Sequence, residues 1–365
     1  MHTPRLSRRT FVAGSLAAAG LPAISTAAAP PQPNPNELAF FFVSDSHALA
    51  LKDDPGKMDP GSALVTGRLI DVLNALPGSD IPAGAGGGTV AVPRGVIHGG
   101  DIIDSGDKAG PPFVAMQKTE LAFYNSQFGL TGADGRLKFP VYEVHGNHDS
   151  PSGAGLAIEE IKRRNKTRPG LVATSPNGLH YSWDWGPVHF VNLGIVVGTS
   201  PRTMRKRRYN PLGSLDFLVA DLKEKVGDSG RPVIVTHHVD VARYGQLPDN
   251  PDGPYDNKEW DPVDVHAFYD ALKPYNVIAV LYGHTHARAV FKWDGTSNKA
   301  GDNGLDVFNV KDSAHFKGPK HTFFYFHLDL AAGRMTVREY ATPDKWVTAT
   351  WTTQTWAKSI KVGKA

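Results

Sequence analysis

Five times along this chain a short apolar run stops abruptly at glycine or at residues of metal-binding type, and that recurrence limits the fold more than any other feature. Leu38–Val43 ends at Ser44-Asp45-Ser46-His47, and Gly95–His98 ends at Gly99-Gly100-Asp101-Ile102-Ile103-Asp104. Phe139–Val144 runs into His145-Gly146-Asn147-His148-Asp149, Pro232–Thr236 into His237-His238, and Val277–Leu281 into Tyr282-Gly283-His284-Thr285-His286. A short run without polar alternation is a strand covered on both faces. Helical periodicity follows the first of these runs at Ser62–Leu76, where Ala63, Leu64, Leu69, Ile70, Leu73 and Leu76 recur before Pro77-Gly78. It returns at Phe113–Phe128, Leu156–Arg164, Leu212–Val226 and Val263–Leu272. Strand, helix, strand, helix, strand is the order of a βαβ-type sheet, and such sheets collect functional residues at the carboxyl ends of their strands.

The rest of the chain fits around this frame. Leu179–Trp185 and Val188–Leu193 predict a hairpin across Gly186-Pro187, and Ala289–Trp293, Leu305–Val310, Thr322–Leu330 and Met335–Tyr340 read as sequential antiparallel strands. Pro77–Pro93 is rich in glycine and proline. Its Gly84-Ala85-Gly86-Gly87-Gly88 core lacks the Gly-Lys-Ser/Thr ending and strand-to-helix setting of a phosphate loop, so it reads as a surface insertion. With 365 residues, 41% of them hydrophobic, the chain can bury a large core, and no repeat or shift of composition forces a boundary inside it. One domain over 38–345 is expected, with a Pro-rich linker at 30–37 and a C-terminal extension at 346–365.

The amino terminus reads as an export signal over 1–29. Ser7-Arg8-Arg9-Thr10-Phe11-Val12 opens an apolar run from Phe11 to Ile24, and Ala27-Ala28-Ala29 is a small-residue cleavage site. Paired arginines before Phe resemble a twin-arginine signal, whose export machinery carries proteins already folded, which places the protein in the periplasm or outside the cell. The run is too short and too rich in Gly and Ala to span a bilayer core of roughly 30 Å stably. Arg5, Arg8 and Arg9 lie in a segment without acids, so its removal takes the net charge from +3 to zero. A near-neutral mature chain offers no bulk basic surface, and nucleic acid is not an expected partner.

The chemistry follows from what the strand ends deliver: Asp45, His47, Asp101, Asn147, His284, His286 and one of His237 and His238. Alternation places Asp45 and His47 on one side of an extended chain, and it lets only one of the two adjacent histidines face a metal. The chain has no cysteine, which excludes thiolate-bound zinc and cysteine nucleophiles. Mixed oxygen and imidazole ligands suit iron, zinc or manganese better than calcium.

Taken in order, Asp45-Ser46-His47, Gly100-Asp101-Ile102-Ile103-Asp104, Gly146-Asn147-His148-Asp149, His237 and Gly283-His284-Thr285-His286 resemble the five blocks of the calcineurin-like metallophosphoesterase superfamily. The likeness extends from about Phe40 to Tyr340 and includes the hairpin at Tyr181–Phe190. It implies an α/β fold of two mixed β-sheets packed as a sandwich and flanked by helices. It implies two divalent or trivalent metal ions, one held by Asp45, His47 and His286 and the other by Asn147, His237 and His284, with Asp101 bridging. The block alignment puts His237, rather than His238, in the ligand position. His148 would be the general acid beside the metals, with Asp149 available to orient it. His98, in place of a strand aliphatic, and Gly194, in place of the Asp usual after the hairpin, depart from the pattern and bear on substrate preference.

The implied activity is that of an exported phosphatase or phosphodiesterase in which a metal-bound hydroxide attacks phosphorus. A non-catalytic metal-stabilised binding protein of the same fold, or a nuclease-type phosphodiesterase, would carry the same blocks. Substrate contacts are expected from His238 and from Arg205, Arg207 and Arg208 in the basic run Arg202–Arg208. Arginine forks suit phosphate groups, so this run points to small-molecule or lipid substrates with several phosphates.

Overall fold

The computed structural model describes residues 34, 36–199, 209–247 and 259–363. Among the described residues thirteen strands form two mixed sheets. The first holds β1 (Glu37–Val43), β2 (Val96–His98), β3 (Val141–Glu143), β11 (His321–Asp329), β12 (Arg334–Thr342) and β13 (Thr350–Ser359), in the order β13-β12-β11-β1-β2-β3. The second holds β4 (Leu171–Thr174), β5 (Tyr181–Trp185), β6 (Val188–Asn192), β7 (Val233–Thr236), β8 (Val277–Tyr282), β9 (Ala289–Trp293) and β10 (Leu305–Asn309), in the order β4-β5-β6-β7-β8-β10-β9. β1, β2 and β3 run parallel, and so do β6, β7, β8 and β10. The βαβ expectation holds in both halves.

The period of two along each strand sorts the core into three slabs. In β1, Leu38, Phe40 and Phe42 point between the sheets, against Phe190, Ile234, Leu281, Phe308 and Phe326. Ala39, Phe41 and Val43 point the other way, under α1 (Pro60–Ala75), α2 (Pro111–Phe128) and α3 (Leu156–Thr167). Val233, Val235, Val280 and Val307 of the second sheet likewise lie under α4 (Ser214–Asp221) and α5 (Pro262–Leu272). The result is helices, sheet, sheet, helices, and it explains why these strands read as unbroken apolar runs.

Local chemistry sets the helix starts. Asp59 accepts the Ser62 N–H at 2.8 Å ahead of Pro60, and Asp261 accepts the Val263 N–H at 3.0 Å ahead of Pro262. Among the described residues no helix is long and apolar enough to cross a membrane.

Three expectations change in detail. The helix expected over Leu212–Val226 begins at Ser214, because Leu212 and Gly213 both take left-handed backbone (φ 54 and 74), and beyond Asp221 it widens into a π turn over Leu222–Val226. The last predicted strands are not one meander. β9 and β10 form an antiparallel hairpin on the second sheet, with β10 parallel to β8, and the chain then crosses to the first sheet for β11 and β12. The segment read as a C-terminal extension supplies β13, paired antiparallel to β12 along its length. The glycine-rich insertion lies on this same edge, where Arg338 Nε donates to the Ala85 carbonyl at 2.9 Å.

Candidate metal centre

The loops that leave β1, β2, β3, β7 and β8 meet at one end of the sandwich. Asp45 N–H donates to the Gly100 carbonyl and His47 N–H to the Asp101 carbonyl, each at 3.0 Å, so the first two loops run side by side. Asp149 locks the third to the second: its carboxylate accepts the Gly146 N–H at 2.7 Å and the Ile102 and Ile103 N–H groups at 3.0 Å. Asp149 thus orders backbone and does not orient the His148 ring. His148 is held instead by its N–H to Asp101 Oδ1 (2.8 Å) and by its Nδ1–H to the Asp104 carbonyl (3.2 Å).

Side chains converge here because the backbone bends unusually. Asp45, His47, Asp101, His284 and His286 all have positive φ, between 43 and 69, so Asp45 and His47 do not sit on an extended chain as alternation supposed. Left-handed backbone is unfavourable for such residues and persists only where surrounding contacts impose it, as functional sites do. Two glycines are required by close approach. A Cβ on Gly146 would come within 2.2 Å of Asp101 Oδ1, and one on Gly283 within 2.3 Å of Asp45 Oδ2.

Asp101 lies at the middle of two groups. On one side His47 Nε2 stands 3.5 Å from Asp101 Oδ2 and 3.8 Å from Asp45 Oδ1, which is itself 3.2 Å from His286 Nε2. On the other, His238 Nε2 is 3.2 Å from the same Asp101 Oδ2 and 3.2 Å from Asn147 Oδ1, which lies 2.8 Å from His284 Nδ1. Asp45, His47, Asp101 and His238 are buried, while His148 and His286 are about one-third exposed and open the site to solvent.

These atoms fit a cation. His238 Nδ1–H donates to the Gly99 carbonyl at 2.7 Å, so in the neutral ring the Nε2 lone pair faces the oxygens of Asp101 and Asn147. His47 Nδ1 is likewise 3.2 Å from Asp104 Oδ1, and its Nε2 has no hydrogen-bond partner although it is buried between two carboxylates. Lone pairs that meet about 3 Å apart are spaced like ligands around one ion roughly 2.0–2.2 Å away. The electrostatics make the same demand. Burial lowers the pKa of His238, yet the adjacent Asp101 carboxylate and then Asp45 raise it to about 9. Burial likewise lowers the pKa of His47, but its hydrogen bond to Asp104 and the nearby Asp45 and Asp101 carboxylates outweigh that and raise it to about 10. The carboxylates draw positive charge into the site.

His237 does not join the cluster. Its ring is stacked on Tyr282 (5.7 Å between centroids) and set edge-on to Trp260 and Phe268 under α5. His238 takes the place expected of His237, and His238 is a candidate ligand where a substrate contact had been expected of it. The physical reason is parity: residue 237 continues the face of Val233 and Val235, which the helices cover. The basic run with Arg205, Arg207 and Arg208 lies outside the described residues. His98 forms part of the floor, with Nε2 at 3.0 Å from Ser46 Oγ, and Gly194 makes room for the His145 ring, which a Cβ there would approach to 2.3 Å.

Three side chains at the site went unread in the sequence. Glu259 Oε2 lies 3.4 Å from His284 Nε2, and Asp312 Oδ2 lies 4.0 Å from His286 Nδ1. Each backs a candidate ligand, as carboxylates do behind metal-bound imidazoles. The third is His315, whose ring centroid is 4.5 Å from that of His47 and 4.8 Å from that of His286. Asp312 and His315 follow β10 in Lys311-Asp312-Ser313-Ala314-His315, a sixth strand end with the same kind of polar residues as the other five. Beside Thr285 and Ala287 opens a cleft of about 520 Å³, lined also by Asp240, Arg243, Lys299 and Asn309.

In comparison with known proteins, the calcineurin-like phosphoesterase family matches residues 38–288. No curated protein matches the sequence. Among solved structures, a conserved uncharacterized protein, a predicted phosphoesterase from Streptococcus pneumoniae TIGR4, aligns over 88% of this chain and 98% of its own at 10% identity and a TM-score of 0.33. So distant a likeness says nothing of the chemistry here.

Proposed function

The chain belongs to the calcineurin-like phosphoesterase family and is a hydrolase of phosphoester bonds; from that premise we propose that it works through two metal ions, with Asp101 shared between them. Asp45, His47 and His286 would hold one, and Asn147, His238 and His284 the other. The observation that carries this reading is the single oxygen, Asp101 Oδ2, set 3.5 Å from His47 Nε2 and 3.2 Å from His238 Nε2. Bound there, two cations of iron, zinc or manganese would activate a water for in-line attack and neutralise charge on the phosphoryl oxygens.

The chain's own groups prepare that step. His284 N–H donates to both oxygens of Asp45 (3.2 and 3.1 Å), which fixes the carboxylate in its orientation. His148, whose Nδ1–H donates to the Asp104 carbonyl, would in its doubly protonated form give the Nε2 proton to the departing alkoxide and be left as the neutral ring. The basic run 202–208 would favour substrates that carry further phosphates. Arg8-Arg9 and Ala27–Ala29 support export of the folded protein to the periplasm or medium.

Hydrolysis of a chromogenic phosphate ester by the metal-loaded chain, with and without chelator, tests the reading. Activity abolished by chelator and restored by metal is expected. Asp101→Asn should lose most activity and part of the metal, because a neutral amide bridges two cations poorly. Two metal equivalents with near-native turnover in that variant would show that no carboxylate bridge is needed.

A further inference from the structure

His315 stands among the candidate ligands, with one ring nitrogen within 4.8 Å of a nitrogen of His47 and of His286, yet its Nδ1 is taken up as a hydrogen-bond acceptor. The Lys317 backbone N–H points at His315 Nδ1 at 3.0 Å. A backbone N–H can only donate, so Nδ1 must carry the lone pair, and a neutral imidazole then bears its proton on Nε2. An Nε2–H cannot ligate a metal, and Nδ1 is already occupied. The ring is fixed as well as the tautomer: it stacks on Phe316 at 4.5 Å between centroids and is only 9% exposed. Nε2 makes no hydrogen bond among the described residues, so a preset N–H donor borders the Asp45–His47–His286 side of the site.

We propose that His315 donates its Nε2–H to a non-bridging oxygen of the phosphoryl group being hydrolysed, which makes it a catalytic residue outside the five blocks. The assignment rests on the phosphoesterase reading above. Charge grows on those oxygens in the transition state, and a donor held in place beforehand stabilises it without reorganisation. The loop after β10 would thereby add a contact of the protein's own to a site otherwise built from the five strand ends.

The test compares His315→Phe with His315→Gln in the metal-loaded full-length chain. Phe keeps the stacked ring without the N–H, whereas Gln keeps a donor. Three quantities are read: metal content, kcat and KM on an aryl phosphate, and the affinity for inorganic phosphate measured without turnover. His315→Phe should retain all metal, lose about 10²–10³-fold in kcat and bind phosphate more weakly, while His315→Gln recovers part of both. If His315→Phe does not fold, His315→Leu, which also lacks a donor, carries the same expectation. Loss of a metal equivalent would make His315 a ligand, and wild-type phosphate affinity and kinetics in the donor-free variant would make it a packing residue; either overturns the proposal. A wild-type chain that hydrolyses nothing defeats the phosphoesterase reading on its own, and the phosphate affinity still reads whether the donor is present.

Discussion

His237 and His238 are neighbours in the chain, but only one has its ring against oxygens. His238 Nε2 lies 3.2 Å from both Asp101 Oδ2 and Asn147 Oδ1, whereas His237 is enclosed by Trp260, Phe268 and Tyr282. His238→Ala should therefore release metal and abolish activity, while His237→Phe, which fits an aromatic cage, should leave both near wild type. Metal analysis of the purified variants decides it, and the reverse pattern would refute the placement. That only one of the pair could face the cluster was legible from alternation. Which one was not, because parity fixes a face only once the element covering the other face is known. At His148 the prediction concerns the leaving group. His148→Ala should keep its metal yet slow alkyl esters by about 10²–10⁴-fold, far more than aryl esters, which leave without a proton. Equal losses on both ester types would exclude the general-acid role.

Among the elements, α3 is tied to β3 by charge rather than by apolar packing alone. Glu143, buried at the end of β3, accepts Arg164 Nε at 2.8 Å and Arg168 Nη2 at 2.5 Å, and Arg168 lies over the Tyr181 ring at 4.8 Å. Against the upward push of burial, Arg164 and Arg168 hold the Glu143 carboxyl down at about 2. Its strand delivers Gly146-Asn147-His148, so the clamp also anchors the site's central loop. Glu143→Gln leaves two buried guanidinium groups without their counter-charge and should cost about 3–5 kcal/mol in urea unfolding. A loss below about 1 kcal/mol would mean that the arginines find water or other partners. This clamp was invisible in the sequence, since nothing marks a Glu, an Arg and an Arg some twenty residues apart as one cluster. The central strands were legible because burial on both faces removes polar residues from them. β4 and β13 were not, for the opposite reason: each is an edge strand with alternating exposure, and β13 is Thr-rich and largely exposed. The jump between sheets after β10 left no local mark either, because adjacency in sequence favours adjacency in space only as a tendency.

For the whole molecule, the number of imidazoles buried as neutral rings sets how acid acts on it. Burial, ahead of any neighbouring charge, pushes His98 and His180 down to about 4 and His145 and His237 down to about 3. In the unfolded chain each takes a proton near pH 6.5. Between about pH 6.5 and 4 the unfolded state therefore binds more protons through these rings, and their contribution to stability falls as pH falls. Two carboxyls act in the opposite sense over much of this range, since burial raises Asp149 and Glu120 to about 7 and the folded state takes up their protons first. Glu143 enters only lower, its contribution present above about pH 4.5 and lost toward 2. Burial also lowers His315, to about 4, and His327, and it raises Glu339, so the lowered imidazoles outnumber the raised carboxyls and leave a net loss of stability in the histidine window, before the carboxylate clamp is touched. His180 isolates one term. Its Nε2–H donates to the Leu212 carbonyl at 3.2 Å, a bond that His180→Gln can keep while offering no proton site. Urea unfolding with chelator present throughout removes metal release from the comparison. The wild type should lose up to about 3 kcal/mol more than His180→Gln between pH 6.5 and 4. Parallel stability curves for the two proteins would mean that the folded state protonates His180 as readily as the unfolded one, and that its burial is not what resists acid.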